Sequence, residues 1–342
     1  MSGHELHVVI TGGAGFLGAR LARTILARGT LGLDGEAPAP VTRLTLLDRV
    51  APPADLAADP RVRVRTGELA DLASSGEGLR DDADGPYADV VFHLASAVSG
   101  ECERDFDLGI EANLRAGHRL LEACRALPTP PVLVFASSLA VYGQWPGHPL
   151  PEVVTDTTLP TPRTSYGIQK FILEQLITDY TRKGFLRGRS VRLMTVSVRP
   201  GRPNAAASSF LSGIVREPLA GERAVCPVPP ETAVALASPD RTIAGLLRAA
   251  EAGADEWGPP LAMNLPALHT TVGAMVEALT EVAGPEAAGL IDWVPDPAIE
   301  AIITSWPARF ETARAARLGL TPDPDYVSIV RAHLAETRPT SP

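Results

Sequence analysis

Tyr166 and Lys170 lie four residues apart in Ser165-Tyr166-Gly167-Ile168-Gln169-Lys170. On a helix that spacing puts both on one face, one turn apart. A free tyrosine has a pKa of about 10 and is a poor base at neutral pH. A lysine ammonium beside it favours the phenolate. Such a pair can take a proton from an alcohol as hydride leaves the same carbon. Upstream, Phe135-Ala136-Ser137-Ser138 closes a strand-like run. A serine at that strand's carboxyl end can hold the substrate oxygen by a hydrogen bond. The chain has 31 Lys and Arg, and only Lys170 and Lys183 are lysine. A lysine at this offset therefore carries weight, whereas Lys183 has only its helix-end charge as an explanation.

A second motif opens the chain: Thr11-Gly12-Gly13-Ala14-Gly15-Phe16-Leu17-Gly18. Gly12, Gly15 and Gly18 follow a strand and begin an amphipathic helix with Phe16 and Leu17. A strand that turns sharply into a helix aims backbone N–H groups at a pyrophosphate, and no side chain can stand between them. Dinucleotide binding is the expectation. Asp48 ends the second strand, Leu44-Thr45-Leu46-Leu47-Asp48. A carboxylate there accepts from both adenosine ribose hydroxyls and repels a 2′-phosphate, so NAD is expected over NADP. Arg49 follows and softens that discrimination.

These groups need a scaffold. β-Branched runs at 6–11, 43–48, 61–66, 89–94, 131–137 and 191–198 alternate with helix-length stretches. Apolar stripes at Leu17, Leu21 and Ile25, at Leu114, Leu120, Leu121 and Cys124, and at Ile168, Ile172, Leu176 and Tyr180 mark three of the helices. Alternation at this spacing predicts βαβ units and a doubly wound, Rossmann-type parallel α/β sheet. The runs are apolar on both faces, as doubly covered strands should be. Thr164 or Ser165 can cap the Tyr–Lys helix. Segment 29–42 is rich in Gly and Pro and reads as a surface loop.

After about residue 200 the pattern changes. Pro-rich turns punctuate PNAAASSF, VREPLAGE and VCPVPPET. Short strands in AVCPV, LAMNLP and LIDWVP mix with helices at 239–251 and 271–283. A dinucleotide-binding domain over 1–200 and a smaller α+β substrate lobe over 201–342 are expected, the lobe on the sheet's carboxyl edge, with the chain free to cross between them.

Composition narrows the classes. The 342 residues are 45% apolar and 21% charged, with a net charge of −9 and no basic block. A globular chain is indicated, and nucleic-acid or acidic-membrane binding is disfavoured. No apolar run nears the ~18 residues needed to span a bilayer. A strand-like start argues against a signal peptide. Cys102, Cys124 and Cys226 have unrelated spacings and suit a reducing compartment. A cytoplasmic protein is expected. The seven histidines show no metal-ligand spacing, so no metal is expected.

Together these motifs resemble the extended short-chain dehydrogenase/reductases, the group that includes nucleotide-sugar epimerases. The carrying segments are TGGAGFLG, HLAS at 93–96, SSLAVYG at 137–143, SYGIQK, and VRPG at 198–201. The resemblance implies Ser138, Tyr166 and Lys170 as the catalytic set, with Lys170 also on the nicotinamide ribose. It implies Leu94 and Ala95 lining the adenosine side, and Pro200 beside the nicotinamide. Glu68-Leu69 stands at the adenine-contact position, where the group usually has Asp followed by an aliphatic. The segments FDLGIEANLRAG, SVRPGRPNAAASSFLSGIVREPLAGE and VCPVPPET look like a sugar-acid-oxidising branch. That likeness implies oxidation of the C2 hydroxyl of a four-carbon sugar acid to the 2-keto acid, with NAD+ as hydride acceptor. The epimerases commonly carry an Arg-Asp-aromatic segment in the carboxyl half. The corresponding LASPDRTIAGLL lacks it, with Arg241 following the Asp.

An acidic protein that binds a carboxylate must supply a local cation, and the guanidinium fork suits one. Arg163, Arg202 and Arg216 are the candidates. Ser99 with Gly100, and the loop residues Asn204, Ser208 and Ser209, are candidates for hydroxyl recognition. A nucleotide-sugar epimerase or dehydratase that keeps NAD bound through its cycle is the second reading, and an NAD-sensing regulator the third. The helices at 104–127 and 166–183 are candidates for pairing into a homodimer. Both carry apolar residues beyond one face, Phe171 and Ile177 among them.

Overall fold

Thirteen strands form in the computed structural model, which describes residues 4–74, 77–80, 85–201 and 206–337. In chain order they are β1 (Leu6–Thr11), β2 (Thr30–Leu31), β3 (Ala39–Asp48), β4 (Val62–Thr66), β5 (Val90–His93), β6 (Val132–Ser138) and β7 (Arg187–Leu193). Then come β8 (Thr195–Val196), β9 (Ala224–Cys226), β10 (Ala233–Ala237), β11 (Met263–Asn264), β12 (Leu268–Thr271) and β13 (Ile291–Trp293). The chain divides into two units. One comprises Met1–Ser138, Ser165–Arg192 and Ile243–Met263; the other comprises Leu139–Thr164, Leu193–Thr242 and Asn264–Pro342.

The first unit carries the main sheet, in the order β11-β7-β6-β5-β1-β3-β2 with β4 also on β3. β1 is parallel to β3 and β5, β3 to β4, and β5 to β6. The fold is thus the doubly wound, Rossmann-type α/β sheet expected. The chain leaves β1 on one side for β3 and β4, then returns to its other side for β5 and β6. Strand order reverses between β1 and β5, and ligands of such sheets bind off the carboxyl ends there. Val8, Val9, Ile10, Val90, Val91, Phe92 and Val132 to Phe135 have no exposure at all, because helices cover both faces. Leu120, Leu121 and Cys124 of helix Ala116–Arg125 pack with Leu173 and Ile177 of helix Ser165–Arg182 against Val9, Val91, Leu133 and Phe135.

The second unit is α+β. Strands β12-β10-β8 form one small sheet and β13-β9 another. Leu211, Ile214 and Val215 of helix Phe210–Leu219 share a core with Met275 and Leu279 of helix Val272–Ala283. Ile329 and Val330 of helix Tyr326–Thr337 complete it. Among the described residues no helix is long and apolar enough to cross a membrane.

Four local expectations are corrected. Segment 29–42 is not a plain surface loop: β2 pairs antiparallel with the start of β3, and Leu31, Leu33 and Val41 are buried. Its Gly and Pro serve the bend, while the three apolar residues anchor it. The run 191–198 is broken at Met194 into β7 and β8, which join different sheets. The VREPLAGE turn is mostly helix, with Pro218 inside the last turn of Phe210–Leu219. On helix Ser165–Arg182 the buried stripe is Leu173 and Ile177, whereas Ile168 and Ile172 are 44% and 38% exposed. That helix carries two adjacent apolar stripes, and the sequence does not say which faces the sheet.

Candidate active site

The glycine loop joins the end of β1 to helix Phe16–Arg28. Gly12 has φ +72°, and a Cβ on it would stand 2.8 Å from the Ala95 backbone nitrogen. A Cβ on Gly18 would stand 2.1 Å from Gly12 O. The loop and the first helical turn thus pack backbone against backbone, which only glycine permits. Gly15 is the N-cap without a side-chain cap, and no acidic residue lies in the first turn. No side-chain cap or first-turn carboxylate therefore competes with an anion at the start of this 13-residue helix. These features fit a dinucleotide pyrophosphate.

Asp48 closes β3 beside this loop. Its Oδ2 accepts from Ala14 N at 3.0 Å and its Oδ1 from Arg49 N at 2.7 Å. Oδ1 also accepts from Val50 N at 3.3 Å, so one of the carboxylate's about four acceptor positions, on Oδ2, remains for a ribose hydroxyl. Arg49 is exposed and sits 3.9 Å from exposed Glu68, while Leu69 packs on the core below. Leu94 N donates to Thr11 O and Ala95 N to Thr11 Oγ1, tying the β5 loop to β1. Pro200 is exposed and precedes Gly201 at φ +80°.

Ser138 ends β6, and Tyr166 and Lys170 lie on helix Ser165–Arg182, all three in the first unit. Ser138 and Tyr166 are part-buried; Lys170 is only 2% exposed. Lys170 Nζ donates to Ala136 O at 2.9 Å and sits 4.8 Å from the Phe135 ring centre and 5.5 Å from that of Tyr166. Burial pulls its pKa from 10.5 down to about 7, against the smaller upward pull of Cys102 and Glu174. Glu174, fully buried one turn on, accepts from Ser137 Oγ at 2.5 Å and from Arg192 Nε and Nη2 at 2.9 and 2.6 Å. These bonds fix the catalytic helix to β6 and β7. At the helix start, Ser165 N donates to Glu103 Oε1 at 2.6 Å.

His93 is buried behind the site. Its Nδ1 bonds Thr11 Oγ1 at 2.8 Å, and burial, then Lys170, lower its pKa from 6.5 to about 3. Asn113 (2% exposed) lies in a π-helical stretch, Ile110–Arg115, and bonds Ser96, Ala97, Cys102 and Gln169. Sequence reading missed Thr11, His93, Asn113, Gln169, Glu174 and Arg192. Their partners are distant along the chain. The one visible signal is polarity at core positions of apolar segments.

The substrate candidates fare differently. Ser99 is 7% exposed at the start of helix Ser99–Arg104. In the second unit Arg163 is exposed, donates to Gln144 O and stacks 5.3 Å over Trp145. Arg216 donates to Arg199 O and pairs with Glu217, so its charge is already balanced. Ser208 and Ser209 close a 3₁₀ turn leading into helix Phe210–Leu219. Arg202 and Asn204 lie outside the described residues.

Residues 8–233 match the NAD dependent epimerase/dehydratase family. The chain belongs to this family. Its cofactor is NAD. It is 48% identical over 331 residues to D-erythronate dehydrogenase of Cupriavidus necator, covering 97% of this chain and 98% of that one. The D-erythronate dehydrogenase of Haemophilus influenzae is 40% identical over 326 residues, covering 95% and 98%. Among solved structures, a nucleoside-diphosphate-sugar epimerase from Agrobacterium tumefaciens superposes with a TM-score of 0.87 at 38% identity, covering 98% of this chain and 95% of that one.

Proposed function

We propose that this family member is an NAD-dependent sugar-acid dehydrogenase that oxidises the C2 hydroxyl of D-erythronate to 2-dehydro-D-erythronate. The observation that carries this reading is the near full-length likeness to two enzymes named D-erythronate dehydrogenase. The buried Lys170 beside Tyr166, at the carboxyl end of the sheet, supports a proton-abstracting role.

In this reading the glycine loop and the open end of helix Phe16–Arg28 hold the pyrophosphate. Asp48 takes the adenosine ribose, with Glu68, Leu69, Leu94 and Ala95 around the adenine side and Pro200 beside the nicotinamide. NAD+ supplies the hydride acceptor. Ser138 donates to the C2 oxygen and orients it. Tyr166 accepts the hydroxyl proton, and the Lys170 ammonium lowers the cost of the phenolate. The Lys170 bond to Ala136 O holds the ammonium in place while this happens. For the substrate carboxylate, Arg163 and Arg202 are the proposed partners. Arg216 ranks below them because Glu217 already neutralises it.

The test is steady NADH formation, followed by absorbance, with D-erythronate, threonate and longer 2-hydroxy acids, each with NAD+ and NADP+. D-Erythronate with NAD+ is expected to give the highest kcat/KM. The epimerase named among the structural neighbours keeps a second reading in view: nucleotide-sugar epimerisation with retained NAD. No net NADH from any acid, together with turnover of a nucleotide sugar, selects that reading instead. A Tyr166→Phe protein at full rate removes the proton-acceptor role.

A further inference from the structure

The Ser96–Ala97 turn of the β5 loop is held by the buried side chain of Asn113, and that side chain is held by Gln169. Asn113 Oδ1 accepts from Ala97 N at 2.7 Å and from Ser96 Oγ at 3.0 Å. Asn113 Nδ2 donates to Gln169 Oε1 at 2.8 Å and reaches Ala97 O and Cys102 Sγ at 3.3 Å each. Reversing the Asn113 amide would set its NH2 against the Ala97 N–H, donor against donor. The orientation is therefore fixed, and Gln169 must present its oxygen.

Gln169 does this at a cost. It is 2% exposed, and its Nε2 is buried with no partner among the described residues. A buried orphan donor is expensive, and an apolar side chain would fill the space without one. Room for the amide is also made elsewhere: a Cβ on Gly109 would stand 2.6 Å from Gln169 Nε2. A glycine and an orphan donor are thus both spent to keep one oxygen facing Asn113. Gln169 is also the residue immediately before Lys170, so this contact links the β5 loop to the catalytic helix.

We propose that Gln169 is a positioning residue for NAD: through Asn113 it sets the Ser96–Ala97 turn, and so the dinucleotide-facing geometry of the β5 loop. This rests on the reading of that loop as part of the NAD site. Gln169 itself touches neither cofactor nor substrate.

The test is the NAD+ dissociation constant of the full chain by calorimetry, alongside thermal midpoints without ligand. Gln169→Ala should weaken NAD+ about tenfold. Gln169→Glu keeps an acceptor oxygen toward Asn113 and should stay within about threefold of the parent. Gly109→Ala drives a methyl into the amide and should weaken NAD+ as Gln169→Ala does. The double variant should be no weaker than Gln169→Ala alone, because the methyl then has no amide to displace. A lowered midpoint with an unchanged dissociation constant, in both Gln169→Ala and Gly109→Ala, overturns the proposal in favour of plain packing. Full additivity in the double variant overturns it as well. Ala95→Leu separates the two claims. If it leaves NAD+ binding unchanged, the loop reading and the proposal fall together. If it weakens binding while Gln169→Ala does not, the proposal alone falls.

Discussion

Lys170 is the residue at which charge, burial and shape conflict most sharply. It is 2% exposed, and its pKa sits near 7 rather than 10.5 because burial penalises the ammonium. Between about 7 and 10.5 the unfolded chain holds this proton and the folded chain does not, so stability rises with pH across that window. Below 7 both states are charged and the fold carries the full desolvation cost. Lys170→Met should therefore melt no lower than the parent at pH 6, while turnover falls about 100-fold or more. Lys170→Arg should lose activity on the same scale, since a planar guanidinium cannot replace a compact ammonium donating to Ala136 O beside two rings. Exposed Lys183→Arg should keep its rate within about twofold. Rates and melting curves of the three proteins check this. His93 follows the same sign in a lower window: its pKa near 3 leaves it neutral in the fold. Between about 3 and 6.5 only the unfolded chain gains its proton, so this contribution is lost as pH falls. His93→Asn should show a shallower drop in thermal midpoint from pH 7 to pH 4 than the parent. An identical slope would assign the acid sensitivity to carboxylates alone.

At the scale of elements, the glycine loop tests what each glycine is for. Gly18→Ala puts a methyl 2.1 Å from Gly12 O, so the loop must move. Gly29, at the other end of the same helix, has φ +69° with open space around it. Gly29→Ala should cost about 1–2 kcal/mol of stability from left-handed strain and leave the NAD+ dissociation constant unchanged. Gly18→Ala should abolish measurable NAD+ binding. Calorimetry and denaturant melts on the pair read this out, and equal binding losses at both positions would deny the loop its special role. This contrast also marks what the sequence could say. The loop was legible because the requirement falls on consecutive backbone positions of one strand–turn–helix. The choice of Ser138 over Ser137 at the end of β6 came only from the family resemblance, whereas the placing of Tyr166 and Lys170 on one helical turn was legible for the same reason as the loop. The 29–42 hairpin was not, since its composition is a loop's and only the burial of Leu31, Leu33 and Val41 makes it structure. Asn113, Gln169, Glu174 and Arg192 were not, because a polar residue in an apolar run declares no partner. Glu174 meets Ser137 and Arg192 from a different strand on each side, 37 and 18 residues away.

For the whole molecule, the misread stripe on helix Ser165–Arg182 becomes informative. Ile177 is core, so its apolarity needs no partner chain. Ile168 and Ile172 are 44% and 38% exposed on the outward face of that helix, and Phe106, at the start of the neighbouring helical stretch, is 62% exposed. Single exposed apolar residues are ordinary, but two on one helical stripe call for a cover. We propose that two copies of the chain pair through this face as a homodimer, with the helices at 104–127 and 166–183 at the contact. Each isoleucine is already more than half buried, so covering the remainder is worth roughly 0.6–1.3 kcal/mol, and twofold symmetry uses each of them twice. Sedimentation equilibrium of the parent should give twice the chain mass of 36.0 kDa. Ile168→Glu with Ile172→Glu should give the single-chain mass, because four carboxylates would then be brought together across the twofold axis. Both positions point away from the sheet core, so the doubly substituted chain should keep its NAD+ dissociation constant, which shows that the loss is of assembly and not of fold. A parent that stays at 36.0 kDa across the micromolar range removes this interface and leaves the exposed stripe as surface.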